Sequence, residues 1–313
     1  MLQTTRFFPL KTGHCQAYNL RFFRFFVYEF LLRGILFAIM GTMGLVSLYF
    51  LAIGVPIEKY TEACHSFFLL LTGSTDFSMA TPGYSASAII MSGAGITLPL
   101  AILSLVILVL IALSCAAIST TTEYLEKKHG NKIIPKFLTF GKSVSILLAA
   151  IPLFVGFWVF GESYGNNAPF LLIAFITVTL GGLGWDASRF LLIDMQHQMG
   201  TTHTMVFSTL GLPLGRLFPL PGTLSGYLLS SSFPRFIPYL AGKVPAIIGG
   251  VTIAEIIFSF PGLGSTLLDA LLTRNTDLLI ASVFILLCLN AIVTFAVKTV
   301  LFLLYPRLYE KAI

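Results

Sequence analysis

The segment Glu255-Ile-Ile-Phe-Ser-Phe-Pro-Gly-Leu-Gly264 separates two long apolar runs, 238–258 and 278–305, and carries an acid, a proline and two glycines between them. An apolar run of about 20 residues is long enough to cross a bilayer as a helix. A proline fixes one backbone angle and removes a donor, so Pro261 is expected to end the first helix. Gly262 and Gly264 supply conformational freedom and close approach for a tight re-entry into the membrane. A valine at Gly262 would be strained if that residue takes a positive φ.

Working outward, six stretches are long and apolar enough to span: 34–55, 96–118, 143–161, 169–193, 238–258 and 278–305. The fourth contains Gly181-Gly-Leu-Gly184, and the fifth contains Pro245 and Gly249-Gly250, residues that membrane helices tolerate. With 313 residues, 56% hydrophobic and only 10% charged, and a mean hydropathy of +0.91, the chain lacks the polar surface to enclose a water-soluble core. The expectation is an all-α, polytopic membrane protein. No cleaved signal peptide is expected, because the first long apolar run follows some thirty mixed polar and aromatic residues.

Loop charge sets the orientation. Arg6, Lys11, Arg21, Arg24 and Arg33 precede the first span, and Lys127, Lys128, Lys132, Lys136 and Lys142 follow the second. The intervening loop carries Glu58, Glu62 and Asp76 against Lys59. Basic loops stay in the cytoplasm, so both termini are expected there. The tail 1–33 alternates bases with aromatics, which fits either an interfacial helix or a cytoplasmic flank that anchors topology. The net charge of +6 follows from those loops, and outside the tail no basic patch interleaved with aromatics points to nucleic acid.

Enzyme signatures are absent. No G-x-x-x-x-G-K-[ST], H-E-x-x-H or G-x-S-x-G occurs, and Gly222-Thr-Leu-Ser-Gly226 has the wrong spacing for a nucleophile elbow. The cysteines at 15, 64, 115 and 288 form no C-x-x-C pair. The histidines at 14, 65, 129, 197 and 203 form no metal motif, and His14-Cys15 and Cys64-His65 fall on opposite sides of the bilayer. No catalytic and no metal-ligating residue is expected. Ionisable groups within the spans are costly and point to function by default. For Glu255 the alternative is a structural carboxylate that accepts backbone N–H bonds of the following turn. For Lys298 it is a side chain that snorkels to the interface.

The phrase F-S-x-P-G-L-G after a helix carrying an acid, followed by one more span ending in Tyr305-Pro-Arg-Leu308, resembles the inner-membrane permeases of ABC importers for dipeptides, oligopeptides and nickel chelates. Gly95-Ile-Thr97-Leu98 is similar to the family's P-A-T-L, and Ile151-Pro152-Leu-Phe154 to its I-P-x-F. Asn290 lies about one turn before the family's last-helix asparagine. The resemblance marks Glu255, Phe258, Ser259, Pro261, Gly262, Leu263 and Gly264 as an external turn, and Thr97, Pro152 and Asn290 as pathway residues. It places the ATPase-coupling loop at Phe207, Ser208, Thr209, Leu210, Gly211, Leu212 and Arg216, where the family has A-R-A-x-G-[LM] some two dozen residues after an arginine, here Arg189. This chain departs from the family in three places. The loop lacks its bases, a proline-rich insertion (Pro213, Pro219, Pro221) follows it, and Lys298 stands where an acid is expected.

The resemblance implies a type I importer permease fold with six spans over 34–313, in a bacterial cytoplasmic membrane. It implies a sister permease, two ABC ATPases that bind ATP and Mg in place of any cofactor here, and an external substrate-binding protein. Short peptides or metal chelates would be the cargo. The rival readings are an ion-coupled secondary transporter and a non-transport membrane scaffold. A coupled carrier would be expected to place carboxylates near the midplane and to show repeated halves, whereas Glu255 is near an edge and no repeat is visible.

Overall fold

A computed structural model describes residues 23–53, 57–72, 86–129, 147–164, 168–201 and 223–305, with single positions 204, 206 and 209. The described residues are helices, turns and short connections. In chain order the helices are α1 (Val27–Ile35), wound as a π-helix, α2 (Leu36–Ile53), α3 (Ile57–Thr72), α4 (Ala86–His129), α5 (Leu153–Tyr164), α6 (Phe170–Thr179), α7 (Leu183–Met199), α8 (Leu224–Ile257), α9 (Leu263–Leu272) and α10 (Thr276–Leu304). The protein is an all-α, multi-span membrane protein.

The count of spans differs from the expected six. Among the described residues four helical stretches are long and apolar enough to cross a membrane: Phe23–Leu51, Ile89–Thr120, Leu224–Ile257 and Thr276–Leu304. A fifth is the pair α6 and α7, bent by 57°. Of the expected span 143–161, residues 143–146 lie outside the described residues. The remainder is a helical turn at 147–150, broken at Ile151-Pro152, and then the short α5. Pro152 cannot donate to the turn before it, and its carbonyl starts α5 by accepting from Val155 N at 3.0 Å.

The α6–α7 bend has a local cause. Gly181 and Gly182 both take positive φ, 82° and 83°, a region glycine enters without steric cost. The indole Nε1 of Trp185 donates to the Thr179 carbonyl at 3.0 Å, capping an acceptor that the bend exposes.

The first span begins at Phe23, so helix runs without a break through Arg33, where the sequence suggested the tail would end. Its start lies against the other end of the chain. Phe25 stacks on Phe302 (ring centroids 5.1 Å) and Phe26 meets Phe295 edge-on (5.4 Å). Lys298 of α10 donates to Glu29 Oε2, and Arg33 lies 3.4 Å from the other oxygen. Lys298 is therefore an intramolecular partner of Glu29, where the sequence reading had a side chain that snorkels to the interface.

α8 is the central helix, packed against α4, α7 and α10. Glycine allows one of these approaches: a Cβ on Gly250 would lie 2.8 Å from Thr177 Cγ2 of α6. α8 also contains Pro234, Pro238 and Pro245. Pro234 has no N–H for the Ser230 carbonyl, and the Tyr305 hydroxyl supplies the missing donor at 2.7 Å. Tyr305→Phe should therefore cost about 1 kcal/mol. The same change in a Pro234→Ala background should cost almost nothing, since alanine restores the helical N–H. Thermal denaturation of the four proteins in detergent measures that coupling; equal effects of Tyr305→Phe in both backgrounds would contradict it.

Candidate functional site

α8 ends at Ile257, before the proline expected to end it. Ser259 takes φ 55°, and Phe260 N returns to the Glu255 carbonyl at 3.0 Å, so the chain has already left the helix when it reaches Pro261. Gly262 then caps α9 with φ −94° and ψ −175°. Those angles are open to any residue, which corrects the expectation of a positive φ there. Space requires the glycine instead: a Cβ on Gly262 would fall on the Glu255 carboxylate.

That carboxylate organises the site. Glu255 and Thr97 are both 0% exposed. Glu255 Oε2 accepts from the Gly264 N–H at 2.7 Å, and Oε1 accepts from the Thr97 hydroxyl at 2.6 Å. Thr97 Oγ1 in turn accepts from the Leu263 N–H at 3.0 Å. The first turn of a helix has N–H groups with no helical partner, and its positive dipole end favours an anion. Glu255 and Thr97 satisfy both needs for α9. Around them the backbone is close-packed: a Cβ on Gly93 of α4 would lie 3.2 Å from Leu263 N, and one on Gly264 would lie 2.9 Å from Thr252 Cα. Phe258, fully buried, meets Phe157 edge-on at 5.9 Å.

The other sequence candidates lie elsewhere. Ser259 and Pro261 are exposed on the outer side of the turn. There, with Ser92, Phe260, Asp269 and Asn275, they line an open cleft of about 740 Å³. Thr97 is enclosed within the subunit and holds the turn. Pro152 is exposed at the start of α5, and Asn290 lies half-buried on α10 with Oδ1 unpartnered among the described residues. Of the coupling-loop residues only Thr209 is described, its hydroxyl donating to the Val206 carbonyl at 2.8 Å. Phe207, Ser208, Leu210, Gly211, Leu212 and Arg216 lie outside the described residues.

The sequence reading missed a ladder between α7 and α8. Asp186 faces Lys243 (3.5 Å), Phe190 stacks on Tyr239 (centroids 4.2 Å, 10°), and Asp194 pairs with Arg235 (2.8 Å). Rungs four residues apart on each helix, running in opposite directions, are what an antiparallel helix pair produces. The signal was the matched spacing 186, 190, 194 and 235, 239, 243.

The Thr97 contact allows a direct test. Thr97→Val keeps the shape but removes the acceptor for Leu263 N and the donor to Glu255, and should destabilise by roughly 2 kcal/mol. Thr97→Ser should be nearly neutral. Equal melting temperatures for the two variants would show that the hydroxyl is dispensable.

No family model matches the chain. Over 58 residues, 17% of this chain, it is 36% identical to the oligopeptide transport system permease protein AmiC of Streptococcus pneumoniae, in both strain TIGR4 and strain R6. The chain spans only 11% of the length of these relatives. The likeness is to an oligopeptide transport permease at family level, over one stretch.

Proposed function

We infer that this chain is the membrane-spanning permease subunit of a binding-protein-dependent ABC importer, forming half of a passage for short peptides, with metal chelates the second class of cargo. One observation carries the reading: the two segments that most resemble such permeases, around Thr97 and from Glu255 to Gly264, are 158 residues apart and meet in one buried hydrogen-bonded cluster. The 58-residue likeness to AmiC supports it as well. In this reading the chain crosses a bacterial cytoplasmic membrane six times, with both termini inside. The turn 258–264 lies outside, facing a substrate-binding protein. A sister permease completes the passage, and two partner ATPases hold ATP and Mg.

α7 and α8 flank the segment that contains Gly211, and the ladder ties them together. A push on that segment by a closing ATPase dimer would then move both helices as one body. The test is Gly211→Val, assayed with the partner subunits in membranes. If Gly211 allows a turn between two short helices, as the family resemblance implies, a β-branched residue hinders it, and substrate-stimulated ATPase activity and uptake should fall roughly tenfold or more while the subunit still inserts and assembles. Wild-type coupling in an assembled Gly211→Val complex would contradict the placement of the coupling loop.

A further inference from the structure

The ladder has a feature that lipid does not tolerate. With the Ile257 end of α8 taken as one membrane boundary, Lys243 lies about 21 Å along the helix from it, short of the about 30 Å that the hydrocarbon layer spans. Its side chain is 27% exposed, and that of its partner Asp186 is 56% exposed. Lysine can snorkel toward an interface, but the one-carbon stem of aspartate cannot. Arg189, one turn further on α7, is exposed and has no ion-pair partner among the described residues. Charged groups at such depth face a protein interior or a water-filled cavity.

The backbone of α8 agrees. Pro238 and Pro245 withhold N–H donors from the Pro234 and Ala241 carbonyls. Tyr305 compensates only for Pro234, through the Ser230 carbonyl, and no side chain among the described residues donates to the other two. On the same exposed face Gly242 and Gly249 have nothing within 4 Å of where a Cβ would stand. Carbonyls that lose their helical donor in a membrane helix are satisfied by a neighbouring helix, a hydroxyl side chain, a local change of helix winding or water, and on an exposed face lined by glycines water has room to reach them.

We propose that the exposed face formed by Asp186 and Arg189 of α7 with Gly242, Lys243, Pro245 and Gly249 of α8 is the wet wall of the solute passage. The Asp186–Lys243 pair on that wall selects solutes that carry both an ammonium and a carboxylate. This deepens the importer reading and rests on it. The pair is long, at 3.5 Å, and leaves both groups partly open, so a zwitterionic peptide can exchange partners with it. Its ammonium meets Asp186, its carboxylate meets Lys243 or Arg189, and its amide N–H groups meet the freed carbonyls. A solute with one net charge leaves one member of the pair without compensation.

The test has two arms. In a cysteine-free full-length chain assembled with its partners, Gly242→Cys and Gly249→Cys should react with an impermeant, hydrophilic thiol reagent. Leu171→Cys and Leu303→Cys, on exposed apolar positions, should not. In the second arm Asp186→Asn and Lys243→Gln should each shift the uptake ratio of a zwitterionic dipeptide to its C-terminal amide on the order of tenfold. The double exchange Asp186→Lys with Lys243→Asp should recover most of that ratio. Unreactive cysteines at 242 and 249, or a disulfide between them and the same positions of a sister permease, would overturn the wet wall. An unchanged ratio in assembled Asp186→Asn and Lys243→Gln complexes would overturn the selective role. Thiol reactivity needs no ATPase, so failure of the importer reading shows as missing partners and leaves this arm readable.

Discussion

Glu255→Ala should destabilise the protein by roughly 2–5 kcal/mol, and Glu255→Gln by about 1 kcal/mol. The two variants differ because the cluster can repair one loss and not the other. When alanine removes the carboxylate, the Thr97 hydroxyl can turn to the Gly93 carbonyl, already 3.1 Å away. The Gly264 N–H has no such alternative, so it stays buried and unpaired next to the space the side chain has left. Glutamine fills that space. Its carbonyl can accept from Gly264 N, and its amide can donate to Thr97 Oγ1 once that hydroxyl has turned. Denaturation in detergent, followed by fluorescence-detected size exclusion, orders the three proteins. If glutamine is as damaging as alanine, the charge itself holds α9.

Gly264→Ala should be nearly as damaging and, unlike a change at Gly262, beyond rescue by a second substitution at Glu255. A Cβ on Gly264 would meet the Thr252 carbonyl oxygen at 2.5 Å and its Cα at 2.9 Å. These are backbone atoms of a packed helix, so α9 would have to move bodily off α8, at a cost of about 1–3 kcal/mol or more. A Cβ on Gly262 meets the end of the Glu255 side chain, which can be removed. Gly262→Ala should therefore recover part of its stability in a Glu255→Ala background relative to the sum of the single losses, whereas Gly264→Ala should not. Melting temperatures of the five variants decide this; an additive loss at Gly262 as well as at Gly264 would mean that a side chain at 262 does not meet Glu255 as the packing requires.

The helical, membrane-embedded character was legible because it rests on length and apolarity alone, as in Thr276–Leu304. The turn at 258–264 was legible in place but not in mechanism. Proline and two glycines signalled a break, yet the break comes from Ser259, and the glycines serve contacts with Glu255 and Thr252 that no local pattern encodes. Thr97 was singled out as a pathway residue, while its bond to Glu255 depends on α4 crossing the turn at Gly93. The ladder was missed because its ion pairs join residues 41 and 57 apart in sequence, and the matched spacings become rungs only once α7 and α8 lie antiparallel side by side. The expected count of six spans exceeds what the described helices supply, because Ile151-Pro152 divides the third run and glycines bend the fourth, which hydropathy sums do not register.

The most direct test of the central claim is co-purification of the full chain, tagged at its C-terminus and extracted from its native membrane in mild detergent, with mass spectrometry of what accompanies it. The importer account predicts a second multi-span permease and two P-loop ATPase subunits, alike or different, per pair of permeases, and ATP hydrolysis by the assembly. A chain that migrates alone or only with copies of itself, with no ATPase and no ATP hydrolysis, would contradict it.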